Sequence, residues 1–122
     1  MTRVTGIGGV FFKSANPAAL GEWYEKHLGI KIQFPTGAAF ESGEKKETTV
    51  WSIFKQETKY LDPSTSPFMI NYRVADLDAL LVTLREEGVE IVGEPQSGEY
   101  GKFGWVMDPD GNKVELWEPP SV

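Results

Sequence analysis

Cysteine is absent from this 122-residue chain, which excludes disulfides, thiolate metal sites and thiol nucleophiles. Histidine occurs once, at His27, so no cluster of imidazoles can hold a metal ion. Its place near a helix C-terminus, four residues after Trp23, points to packing or to complementing the helix dipole. Positive charge is scarce: 12 Lys and Arg stand against 18 Asp and Glu, a formal net charge of −6. The broad electrostatic footprint for nucleic acid or anionic lipid is therefore missing. No apolar run approaches the length of a membrane span, and no charged start followed by an apolar stretch opens the chain. These absences predict a cytoplasmic protein with no nucleic-acid partner and no membrane partner.

What is present fits one domain over residues 1–122, long enough to bury a sizeable core without crosslinks. The 13 glycines and eight prolines fall at element boundaries and form no low-complexity tract. Glu41, Glu44 and Glu47 alternate with lysines in a polar stretch and read as a solvated segment.

The chain's most informative stretch is Trp105 to Trp117, where two strand-like runs flank Asp108-Pro109-Asp110-Gly111. Proline suits the second position of a tight turn and glycine the positive φ of the return, so a hairpin is predicted. Period-two alternation then places Val114 and Leu116 on one face and Lys113, Glu115 and Trp117 on the other. Glu115 is a carboxylate between aromatic-rich strands, the residue best suited to a catalytic or ligand-anchoring role.

Upstream, Val4–Lys13 reads as a strand. Gly6, Gly8 and Gly9 lie within it, as glycines do at bulges or where something approaches the backbone closely. Asn16-Pro17 is a helix start. Leu20, Trp23, Tyr24 and His27 or Leu28 follow at helical spacing, and Gly29 ends the helix. Residues 30–34 read as a short strand, 37–46 as a polar connection and 47–56 as a further strand. Tyr60–Pro67 reads as a linker. The plan then repeats: strand Phe68–Val74, cap Asp76, stripe Leu77, Leu80, Leu81 and Leu84, terminal Gly88, and a short strand 89–92. Each half is thus a βαβββ unit, module one at about 1–60 and module two at about 67–122. The predicted fold is α+β: two tandem modules forming a curved mixed sheet, helices on its outer face and a concave pocket on the other.

The Trp23-Tyr24 helix ending in His-Leu-Gly, the stretch Tyr-Arg-Val-Ala-Asp-Leu-Asp-Ala-Leu, and Asp-Pro-Asp-Gly-Asn-Lys-Val-Glu-Leu together resemble the vicinal oxygen chelate superfamily. It includes glyoxalase I, extradiol dioxygenases and bleomycin-binding proteins. The resemblance implies that enzymes of the group hold one divalent metal in the concave sheet through His, Gln or Glu side chains. Carried over, those positions fall on Gly9, on Trp51 or Ser52, on Met69, and on Glu115, which alone matches. Three or so protein ligands are the norm for a catalytic ion. The preferred expectation is therefore a metal-free, cofactor-free protein of the glyoxalase/bleomycin-resistance type that binds a small organic molecule, with Trp51, Trp105 and Trp117 pointing to an aromatic one. The alternative is a lyase, isomerase or dioxygenase of glyoxalase type using Ni, Zn, Mn or Fe, with Glu115 as ligand or base. A third reading is a degenerate module acting through protein contacts alone, and resemblance implies a homodimer. Strand parity assigns Phe11, Lys13, Trp51, Met69, Asn71, Arg73, Trp105, Glu115 and Trp117 to the pocket. The bland reading of the same residues is a filled core with Arg73 paired to Glu115.

Overall fold

In a computed structural model, residues 2–121 are described. Strand β1 (Val4–Ser14) leads to helix α1 (Pro17–Leu28), then strands β2 (Gly37–Ser42) and β3 (Glu47–Lys55). The second module runs β4 (Phe68–Val74), α2 (Leu77–Glu86), β5 (Gln96–Gly98), β6 (Gly101–Met107) and β7 (Lys113–Glu118). The seven strands form one mixed sheet in the order β2-β3-β1-β4-β7-β6-β5. Two βαβββ-like modules meet at its centre, where β1 and β4 pair antiparallel. Each module's first strand also pairs parallel with its last, β1 with β3 and β4 with β7.

Local chemistry sets the helix ends. The Asn16 side chain accepts from the Ala19 N–H at 3.1 Å, and Gly29 closes α1 at φ 70°. Asp76 does the same for α2, accepting from the Ala79 N–H at 3.1 Å. Leu77, Leu80 and Leu81 are buried with Val74, Val106 and Leu116, and Tyr72 and Val114 pack against them. The alternation in β7 thus places Val114 and Leu116 under α2. Helix α1 differs from its predicted stripe, because Gly21 is its buried residue while Trp23 and Leu28 remain exposed.

The connections also differ from the sequence reading. Residues 30–34 and 89–92 do not form strands; each contributes only an isolated bridge, Phe34 to Gly37 and Ile91 to Val106. Part of the predicted polar connection is instead β2, which pairs with β3 along its whole length. The predicted linker is not a solvated tether: Leu61 within it is fully buried against Phe11, Met69 and Trp105. That second cluster lies on the concave face, opposite the helices.

Leu77 is fully buried and Val82 is exposed. Leu77→Ala is expected to lower unfolding free energy by about 2–5 kcal/mol in urea titrations, and Val82→Ala by less than about 0.5 kcal/mol.

Candidate functional site

The registers place one row of residues side by side across the concave face. Val50 is opposite Gly9, Gly9 opposite Asn71, Asn71 opposite Glu115 and Glu115 opposite Trp105. The adjacent row holds Arg73, Trp117 and Phe103. Because neighbouring side chains in a row point the same way, the register itself brings Asn71, Glu115 and Trp105 into contact.

Glu115 is 2% exposed, and three donors converge on its carboxylate. Asn71 Nδ2 donates to Oε1 at 2.6 Å, Trp105 Nε1 donates to Oε2 at 2.8 Å, and the Tyr60 hydroxyl also donates to Oε2. The carboxylate can accept all three because it is acceptor-rich, with about four lone-pair directions. Burial holds the Tyr60 phenol well above its ordinary range; the negative charge of Glu115 and the hydrogen bond to it add to the shift. Lys113 lies over the Tyr60 and Trp105 rings, 5.4 and 5.6 Å from their centroids, and donates to the Tyr60 carbonyl at 2.6 Å. Its ammonium is lowered by burial, partly offset by the charges of Glu115 and Asp62.

Above this carboxylate opens a cavity of about 230 Å³. Phe11, Val50, Phe103 and Trp117 form its apolar walls, Asn71 and Glu115 its polar floor, and Tyr100 stands at its mouth. Phe103 and Trp117 lie nearly parallel, their planes 8° apart. Trp117 Nε1 donates to the Tyr100 carbonyl at 2.7 Å, fixing the indole. Gly8 also lines the cavity. The β1–β4 register slips between Ile7 and Gly9, so the chain carries Gly8 onto the concave face, where any side chain would run into Asn71 Oδ1 and, at 2.8 Å, Trp117.

Several predicted pocket residues lie elsewhere. Trp51 is on the helix-facing side, 4.9 Å from the Tyr24 ring and 5.5 Å from that of Phe12; Val50 takes its expected place. Parity on β3 was off by one residue, which moves every side chain to the other face. Lys13 does not line the cavity; it sits at the far end of β1, where its N–H donates to the Pro67 carbonyl. Met69 is fully buried beneath, with Phe11, Leu61 and Trp105. The metal position assigned to it belongs by register to Asn71, and that assigned to Gly9 has no side chain, an added Cβ there lying 3.0 Å from both the Phe11 ring and the Val50 carbonyl oxygen. Arg73 does not pair with Glu115. Its guanidinium donates to the Thr48 carbonyl at 2.5 Å, lies 3.4 Å from Glu47, and sits 5.9 Å from the Trp117 ring.

Tyr60, Gly8, Val50, Phe103 and Tyr100 were not identified as site residues from sequence. Gly8 alone left a signal, as one of three glycines inside a strand. Tyr60 left none, because it lies in an aperiodic segment.

Residues 13–116 match the Glyoxalase/Bleomycin resistance protein/Dioxygenase superfamily, and the chain belongs to that family. Its scaffold is the superfamily's small-molecule-binding enzyme fold. The chain is 28% identical to the uncharacterized protein YraH of Bacillus subtilis (strain 168) over 109 residues, 80% of this chain and 85% of that one. Among solved structures it resembles methylmalonyl-CoA epimerase from Mycobacterium tuberculosis. There the identity is 25% and the TM-score 0.70, covering 99% of this chain and 92% of that one. The Streptomyces coelicolor methylmalonyl-CoA epimerase is alike in fold, with TM-score 0.74 and 18% identity over 98% and 97% of the two chains.

These likenesses correct the cofactor-free expectation. These two solved structures are of epimerases, and enzymes of this superfamily are the members for which the resemblance implies a divalent metal. The side chains of one chain do not by themselves complete such a site. Among the described residues no three His, Cys, Asp or Glu side chains come together. The oxygen donors at the floor are Glu115, already accepting three hydrogen bonds, and Asn71 Oδ1, which is buried without a partner. No catalytic step through an ion follows from these residues.

The Tyr60 phenol gives a measurable consequence. Its folded-state pKa is raised, so its contribution to stability is complete below the unfolded value of about 10 and is lost as pH rises beyond it. Stability should fall above about pH 10, and Tyr60→Phe should flatten that part of the pH profile in chemical-denaturation series. At neutral pH the same variant should cost about 1–3 kcal/mol by removing a donor from a buried carboxylate.

Proposed function

We propose that the cavity above Glu115 is the active site of a divalent-metal-dependent isomerase or lyase of glyoxalase type acting on a small, largely apolar organic molecule. The observation that carries the proposal is the placement of one firmly held carboxylate at the floor of an otherwise apolar cavity. Sparse polar groups beneath apolar walls are the ordinary make-up of a small-molecule site. The likeness to epimerases supports isomerisation over dioxygenation, since an epimerase inverts a centre without adding oxygen. When bound, a divalent ion would polarise a substrate oxygen.

On this reading Glu115 is the group nearest the chemistry. Tyr60, Asn71 and Trp105 hold it in one orientation, and Phe11, Val50, Phe103 and Trp117 exclude water and seat the substrate's apolar body. Donors that one chain lacks come from the substrate's own oxygens or from a second copy of the chain in a homodimer.

Elemental analysis of protein purified without chelator, with thermal unfolding in added Ni²⁺, Zn²⁺, Mn²⁺ or Fe²⁺, tests the reading. The expected outcome is retained metal and stabilisation by about 2.7 kcal/mol at a hundredfold excess over Kd, both lost in Glu115→Gln that is folded by circular dichroism. Protein free of metal and unmoved by every ion would overturn it.

A further inference from the structure

Of the eight residues that line the cavity, Tyr100 alone is exposed, at 70%. Its main chain is nevertheless fixed. The Tyr100 carbonyl accepts from Trp117 Nε1 at 2.7 Å, which ties the turn between β5 and β6 to a cavity wall. The next residue, Gly101, stands opposite Gly98 across that turn at φ 105°. Any side chain on Gly101 would collide with the Glu118 carbonyl, so the backbone there is pressed against the end of β7. The Tyr100 Cα is thus held at one place over the opening, and its ring remains free to rotate about its side-chain bonds.

The residues below are built the other way, with their side chains fixed. Glu115 is held by three donors, and Trp117 lies nearly parallel to Phe103. A molecule seated on these walls therefore keeps its outward side in water unless a group at the mouth covers it. We infer that Tyr100 is that group: a ligand-binding residue whose ring packs on the outward side of a flat, apolar molecule and closes the cavity over it. This rests on the cavity being the substrate site proposed above and adds the residue that completes it. Tyrosine suits the position, because its ring supplies apolar contact while its hydroxyl stays in water. The gain falls to molecules large enough to reach the mouth, since a smaller one lies beyond the ring's contact distance.

Calorimetric titration with 2-naphthol, a flat bicyclic probe with one polar edge, tests this on the protein as purified. Tyr100→Ala is expected to weaken binding by about tenfold. Tyr100→Phe, which keeps the ring, should recover most of that loss. An exposed turn side chain contributes little to folding, so the thermal unfolding of the two ligand-free variants should match the wild type, and the lost affinity then reads the contact with the probe. Nuclear Overhauser contacts from the Tyr100 ring protons to bound 2-naphthol are expected alongside those from Phe103 and Trp117. No binding of 2-naphthol, an affinity in Tyr100→Ala within about twofold of the wild type, or contacts from Phe103 and Trp117 without Tyr100 would each overturn the inference. Metal content measured on the same sample separates the two proposals. Protein that holds metal yet binds the probe equally with and without the Tyr100 ring loses only this inference, and protein without metal in which the ring covers the probe loses only the metal-dependent reading.

Discussion

A carboxylate removed from water with no ion-pair partner among the described residues is the constraint on which the concave face depends. Removing one such ion from solvent costs several kcal/mol even after relaxation, and the three ion pairs found among the described residues do not include Glu115. Hydrogen bonds to a charged group are worth about 1.5–3 kcal/mol each, so three donors are of the size needed to offset that cost. The donors come from three places: Asn71 from β4, Trp105 from β6 and Tyr60 from the segment between the modules. Holding the charge therefore fixes the register of β4, β7 and β6 and the path of the connection at once.

The duplicated architecture explains why the polar half of the site lies on one side. In module two the parallel partners Asn71 and Glu115 occupy the row; in module one the corresponding partners are Gly9 and Val50. One module contributes an amide and a carboxylate, the other a bare backbone and an isopropyl group. The cavity is thus apolar on one flank and hydrogen-bonding on the other. Such a division orients a molecule with one polar edge.

Much of the fold was legible from residues alone. Asn16 and Asp76 are caps by chemistry, the Leu77 to Leu84 stripe has helical period, and Val114 to Trp117 alternate cleanly, so the helices, the last hairpin and the face of Glu115 followed. The site was less legible, for local reasons. On β3 every residue from Thr49 to Phe54 is compatible with burial, so nothing in the pattern separates Val50 from Trp51 as the cavity residue. In β1 the slip between Ile7 and Gly9 adds a residue that strict alternation does not count, which brings Gly8 onto the concave face beside Gly9. Tyr60 has no period at all; its role is created by the fold of a segment whose prolines and small polar residues read as a tether.

The segment between the modules carries a further meaning. A duplicated scaffold can be imagined as two interchangeable halves, each able to pair with a copy of itself. Tyr60 makes that exchange asymmetric: it leaves the first half and spends its hydroxyl on a residue of the second. The connection thus acts as a length gauge, with Tyr60 reaching Glu115 while Leu61 is locked in the core. Lengthening this stretch would pull Tyr60 from Glu115 or Leu61 from the core, whereas the Glu44 to Lys46 turn carries no side chain that lines the cavity.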